Sequence, residues 1–230
     1  EVIRMVGNVN SYFRRVNRDY GFNRGIALAI RKTSGPVTGT LDYTFQVSKG
    51  NESDPNNIAI ISTGGLGGGI IRDSEKQVLP LDWDQRHTLN GTLAIKTGNA
   101  WTFSLIGRVS SGQPYTPEPI RLDVKSKFKN TEFKPWKTNL DLYINKNVRL
   151  AGKSVSLFIR VFNLFDRANE LTVYAVTGRA SRDHRYPITE QLEQDRLVGL
   201  FTLRDIDNHQ DWYSDPRRIQ VGISLNFGDK

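Results

Sequence analysis

The sequence predicts an all-β protein, a transmembrane antiparallel β-barrel segment of about eight strands. Three observations predict it. Apolar and polar residues alternate in repeated segments of roughly ten residues, the length a tilted strand needs to cross a bilayer. The connections between these segments alternate between short and long. No run of apolar residues is long enough for a membrane-spanning helix, so any crossing must be made by strands.

The final segment carries the pattern most plainly. Ile219, Val221, Ile223, Leu225 and Phe227 are apolar, while Arg218, Gln220, Gly222, Ser224 and Asn226 are polar or Gly. A period of two gives a strand one apolar and one wet face. The same pattern recurs from Arg24 to Arg31, from Val37 to Val47 and from Arg86 to Lys96. It recurs again from Trp101 to Ser110, Asn139 to Leu150 and Ser154 to Phe162. Residues 1–7 make a weaker eighth candidate, because Val2, Ile3, Met5 and Val6 fit neither face cleanly.

Thr33-Ser34-Gly35-Pro36, Gly98-Asn99-Ala100 and Ala151-Gly152-Lys153 have turn composition. Between them lie long connections at about 49–83, 112–136 and 166–216. Short turns at one end and long loops at the other suit an outer-membrane barrel, with turns periplasmic and loops extracellular. The last strand then descends and Lys230 lies on the periplasmic side. Trp101, Trp136, Tyr143, Phe165 and Phe227 stand near strand ends, where interfacial aromatics belong. Gln191 to Leu200 is a candidate short helix, and Gly64 to Gly69 reads as a surface loop tip.

Composition is consistent with such a barrel. Of 230 residues, 37% are hydrophobic, and there is no Cys, which excludes disulfides and thiolate metal sites. Mean hydropathy is −0.47, a value that strands with one polar face and polar loops produce even in a membrane protein. The net charge of +8 suits a polyanionic partner, and lipopolysaccharide phosphates serve an outer-membrane protein in that role. No basic-then-apolar leader precedes the first strand candidate, so the chain reads as a mature protein or a fragment.

The chemistry visible in the sequence is that of binding. No Gly-x-Ser-x-Gly, HExxH or phosphate loop occurs, so no catalytic residue and no cofactor site is assigned. Asp205, Asp207, His209 and Asp211 recur at spacing two, and oxygen-rich loops of this kind hold Ca²⁺. The Gly and distal Glu of an EF-hand are missing, which favours a solvated loop over a metal site. His87, beside Arg86 at a strand start, suits a structural place at the interface. His184 has no visible partner in its charged loop. Arg31, Arg86, Lys96, Arg108, Arg149, Arg160 and Arg218 fall on the polar faces and are the candidate contacts for a ligand or for an enclosed domain. The simpler expectation pairs them with Asp42, Asp141 and acids outside this sequence. That surplus of bulky inward cations argues against a narrow eight-stranded closure, and predicts open edges at residues 1–7 and 217–227.

The segment Leu81-Asp82-Trp83-Asp84-Gln85-Arg86-His87-Thr88-Leu89-Asn90-Gly91 resembles a barrel-strand signature of TonB-dependent outer-membrane receptors. Val161-Phe162-Asn163-Leu164-Phe165-Asp166-Arg167 resembles that family's penultimate-strand motif. Tyr174 to Ala180 and Asp215 to Gly222 are similar to the C-terminal segments of its Oar-like branch, whose members often carry a carboxypeptidase-regulatory-like domain. The motifs stand in family order. The resemblance implies that residues 1–230 are the C-terminal part of the barrel, the last third of about 22 strands. It implies a plug domain with no counterpart in this sequence, and partnership with the remaining strands, the TonB system, lipopolysaccharide and outer-membrane lipid. The implied function is capture of an extracellular ligand and its passage to the periplasm with TonB-derived energy. A self-standing eight-stranded barrel, acting as an adhesin or structural protein, and a soluble polyanion-binding β-sandwich are the alternatives. Nucleic acid is not an expected partner.

Overall fold

The computed structural model describes residues 2–6, 11–15, 19–51, 58–62, 77–98, 100–118, 129–150, 153–181 and 209–226. Their regular structure is β apart from one 3-10 turn at Gln210–Trp212, and no α-helix occurs among the described residues. The strands are β1 (Val2–Val6), β2 (Ser11–Arg15), β3 (Gly21–Lys32), β4 (Val37–Gly50), β5 (Ile58–Ser62), β6 (Leu79–Pro80), β7 (His87–Thr97), β8 (Trp101–Ser110), β9 (Pro114–Tyr115), β10 (Glu132–Phe133), β11 (Lys137–Leu150), β12 (Lys153–Phe162) and β13 (Arg218–Asn226).

The main sheet has eight strands, in the order β13-β12-β11-β8-β7-β4-β3 with β6 pairing the outer end of β4. Every pairing in it is antiparallel, and its seven long strands follow one another as an up-and-down meander. They run from 9 to 14 residues, the reach of a tilted bilayer-crossing strand. Residues 33–36, 98–100 and 151–152 make the connections at one end. Residues 51–86, 111–136 and 163–217 make them at the other. The period-two reading therefore locates all seven long strands to within three residues at each end.

The sheet is open, with β3 and β13 as its edges. Residues 2–6 depart from the sequence expectation. They are a strand, but not an edge of this sheet. β1 pairs antiparallel with β2 and parallel with β5 in a separate three-stranded sheet. Its irregular apolar pattern is the physical reason: it lacks the alternation that fixes one face of the meander. The final strand bonds to β12 and not to residues 2–6. The helix considered at Gln191 to Leu200 and the Gly64 to Gly69 tip lie outside the described residues.

Register sorts the side chains. Residues directly opposite across a ladder share a face. One row reads Lys32, Gly39, Leu93, Leu105, Leu142, Val161, Ile219 across all seven long strands. The next reads Val37, Ile95, Phe103, Ile144, Ile159, Val221. This face is apolar and uncovered: Ile26 is 71% exposed, Val221 75% and Ile223 67%. The opposite face carries rows such as Ala29, Asp42, Asn90, Arg108, Asn139 and Ala94, Ser104, Tyr143, Arg160, Gln220.

The distribution of burial is inverted relative to a water-soluble domain. Among the described residues, the buried apolar side chains are Leu81, Pro114 and Ala180, whereas Ser48, Asp84, Ser111, Asn130, Asp141, Asn163, Asn169 and Glu170 are all buried. Seven strands spaced ~4.8 Å apart and rising ~3.3 Å per residue over nine or more residues give the apolar face an area on the order of 1,000 Å². Monomeric soluble proteins rarely expose more than a few hundred.

Aromatic residues border this face at both ends. Tyr43, Phe45, His87 and Trp136 cluster at the loop end, with His87 stacked 5.5 Å from Trp136. The Tyr43 hydroxyl lies 2.9 Å from His87 Nδ1, so His87 has a structural partner within this cluster. At the turn end Trp101 stacks on Phe103 at 5.9 Å and receives the Lys146 ammonium at 4.7 Å.

Candidate functional site

The loop bases are tied to the strand ends by buried polar side chains, and these ties shape the polar face. Asp84, wholly buried, accepts the Ser48 N–H at 2.8 Å and the Arg86 Nε–H at 2.8 Å. Leu81 packs beneath the same corner, its N–H bonded to the Ser48 carbonyl. The loop after β12 turns sharply. Asn163 and Asp166 both adopt positive φ, 50° and 53°, a region that Asn and Asp tolerate better than most residues. The Asn163 N–H donates to Asp141 Oδ1 at 2.9 Å, and its side-chain amide donates to the carbonyls of Arg167 and Asp215. Asn169 brackets Thr138 by accepting its N–H and donating to its carbonyl, both at 2.8 Å. Glu170 accepts the Ala180 N–H and pairs with Arg179 at 2.6 Å. The segments before β13 and after β12 are thereby fixed on one another.

Six of the seven sequence-assigned cations lie on the polar face by register: Arg31 opposite Thr40, Lys96 opposite Thr102, Arg108 opposite Asn90, Arg149 opposite Ser154, Arg160 opposite Tyr143 and Arg218 opposite Phe162; Arg86 immediately precedes β7. They do not form one cluster. Arg31, Lys96 and Arg149 stand near the turns. Arg86, Arg108, Arg160 and Arg218 stand nearer the loops.

The partners of these cations differ from the simpler expectation. Asp141 pairs with no cation among the described residues. Its Oδ1 accepts from Asn163 and from Asn139 Nδ2 at 2.9 Å. Arg86 pairs with Asp84, an acid that the strand pattern does not assign, and lies 5.2 Å from the Phe133 ring. Among the described residues, Arg160 and Arg218 stack on rings and pair with no carboxylate. Arg160 lies over Phe158 at 4.6 Å and beside Tyr143 at 5.9 Å, and Arg218 lies over Phe162 at 4.7 Å. Tyr143 and Phe162 meet edge to face at 5.7 Å. Phe158 lies on Gly222 of the neighbouring strand, where any Cβ would collide with the ring. The Gly at this polar-face position is thus a seat for an aromatic ring.

Between this aromatic strip and the loop base lies a cleft of about 690 Å³. Arg108, Asn139, Asp141, Phe162, Asp215 and Arg218 line it. Two groups of the adjoining loop have altered acidity. Burial raises the Tyr115 phenol, reinforced by the Glu132 carboxylate. Burial lowers the Lys134 ammonium, with Lys137 acting in the same direction and Asp82 opposing.

The Asp/His loop is described only in part. His209 stacks on Trp212 at 4.4 Å and near Tyr174 at 5.9 Å, and Asp211 is exposed. Asp205, Asp207 and His184 lie outside the described residues. Among the described residues no group of His, Cys, Asp and Glu is placed to hold a metal ion.

Sequence reasoning misses Asp84, Asn163, Asn169 and Glu170 as structural anchors. Asp84 and Asn163 stand inside the two receptor-like motifs. Nothing in a period-two pattern marks Asn169 and Glu170, whose partners lie in distant strands and loops. Comparison with protein-family models, with curated proteins and with solved structures found no match.

Proposed function

We propose that this chain is a segment of an outer-membrane β-barrel, the C-terminal part of a TonB-dependent receptor that binds an extracellular ligand and passes it to the periplasm. One observation carries the membrane part of the proposal. An uncovered apolar face runs across seven long strands, while most buried side chains among the described residues are polar. Water penalises that arrangement and hydrocarbon favours it. On this reading the apolar face meets lipid, the polar face lines a lumen, and the three short turns and the end of β13 lie on the periplasmic side. Strands beyond β3 and β13 complete the barrel and satisfy the backbone groups of both edges. The resemblance of residues 81–91 and 161–167 to receptor motifs supports the receptor part, as do the buried anchors these residues supply at the loop bases.

The role is binding and passage without catalysis. Loops capture the ligand, the loop-end cations Arg86, Arg108, Arg160 and Arg218 meet it, and the turn-end cations Arg31, Lys96 and Arg149 meet a plug domain. TonB-derived energy, transmitted through a plug, would drive release inward. A self-standing eight-stranded barrel would need the last strand to pair with residues 2–6, which belong to a different sheet. A soluble sandwich would need a second sheet over the apolar face. The test is extraction of envelopes from cells producing the full protein. Release only by detergent is the expected result. Recovery of folded, monodisperse protein in the aqueous fraction would reject the proposal.

A further inference from the structure

The cleft at the loop end of the polar face has the chemistry to hold a small oxyanion. The Arg108 guanidinium has no hydrogen-bond or ion-pair partner among the described residues, and the residue lines the cleft wall. Arg218 lines the same space, with its guanidinium laid on the Phe162 ring. Stacking orients a guanidinium without using its N–H edge, so the donors that recognise carboxylate or phosphate in a fork remain available. Phe162 is fixed in turn by Tyr143. Two carboxylates also line the cleft. Asp141 is buried and committed to Asn139 and the Asn163 N–H. Asp215 is exposed, and its backbone carbonyl anchors the Asn163 amide. The guanidinium groups of Arg108, Arg217 and Arg218 outnumber these acids, and Arg217 is only loosely engaged, 4.0 Å from Asp166.

We propose that Arg108 and Arg218 form a binding site for a carboxylate or phosphate group of the ligand, with the Phe162 ring as the platform that orients Arg218. The proposal deepens the reading of the polar face as ligand-facing, but the site stands on its own geometry. Arg31 and Arg149 share the face without sharing the cleft, so general cationic attraction would involve them equally.

The test is calorimetric titration of the full protein with citrate and with inorganic phosphate at low ionic strength. Saturable binding of at least one is expected, and the tighter of the two names the oxyanion. Arg108→Gln and Arg218→Gln should each weaken it at least tenfold. Arg218→Lys, which keeps the charge and loses the planar fork, should weaken it comparably. Arg31→Gln and Arg149→Gln should leave it within twofold. The urea midpoint of each variant, measured alongside, establishes that the fold is intact. Absence of saturable binding for both anions would overturn the proposal, as would equal weakening by all four Gln variants or full affinity in Arg218→Lys. Detergent dependence, scored separately, tests the membrane reading. A soluble protein that bound citrate through Arg108 and Arg218 would keep the site and reject the barrel.

Discussion

Replacing Val221 with Arg separates a lipid-facing strand from a water-facing one by the size of a single number. Val221 lies on β13, 75% exposed, opposite Ile159. A strand rising ~3.3 Å per residue and tilted ~40° gains about 2.5 Å of depth per residue. The apolar series Ile219, Val221, Ile223, Leu225 then spans about 15 Å of depth, and Val221 and Ile223 straddle its centre. Arg near the bilayer midplane costs about 2–4 kcal/mol. Arg at a water-exposed position changes stability by only about 0.5 kcal/mol. Ser224→Arg supplies the control on the polar face, opposite Ser156, and should cost under about 1 kcal/mol in a wet lumen. Both variants are compared by equilibrium urea unfolding of the full protein from phospholipid vesicles. Costs that differ by less than about 0.5 kcal/mol between the two faces would refute the assignment of lipid to the apolar side.

Four further outcomes are expected. Asp84→Ala leaves the Ser48 N–H and Arg86 without their shared acceptor and should cost about 3 kcal/mol in the same urea assay; a loss under about 1 kcal/mol would deny Asp84 its anchoring role. Gly222→Leu drives a side chain into Phe158 and should destabilise by about 1–3 kcal/mol, while Ser224→Leu on the same strand face should cost less. Ala100 holds a φ of 60° in a short turn, so Ala100→Gly should stabilise by about 0.5–1 kcal/mol, read as a raised urea midpoint. Tyr115 ionises at higher pH when folded, so its contribution is complete below pH 10.0 and is lost as pH rises through the folded value. Lys134 has the opposite sign: it holds its proton less tightly when folded, so stability grows as pH climbs towards 10.5. In a series of urea midpoints against pH, Tyr115→Phe should flatten the alkaline fall and Lys134→Met should steepen it; an alkaline limb unmoved by either change would contradict the assignment.

The meander was legible because alternation is a local signal. Each of the seven long strands has one face of uniform character, so a single-residue slip would expose the error along its whole length. β2, β5, β6, β9 and β10 were not read, since strands of two to five residues offer too few alternations. Residues 2–6 were read as a weak strand but assigned to the wrong sheet. Their partner β5 lies more than fifty residues away, and no turn signal joins them. The cations were legible as a face, while their pairing was not. Arg160 and Arg218 found aromatic neighbours because Phe158 and Phe162 fall on the polar side of β12, an exception to alternation. The cleft was not legible at all, since it depends on loops from both sides of the long 163–217 connection.

The most direct test of the account is a nitroxide scan along β13 of the full protein in lipid vesicles, measuring accessibility to oxygen and to a water-soluble nickel chelate. The account predicts opposite phases with a period of two. Labels at positions 219, 221, 223 and 225 should be reached by oxygen and shielded from the chelate, and labels at 220 and 224 should show the reverse. Equal access of the chelate to both sets would contradict it and leave the apolar face to be covered by protein.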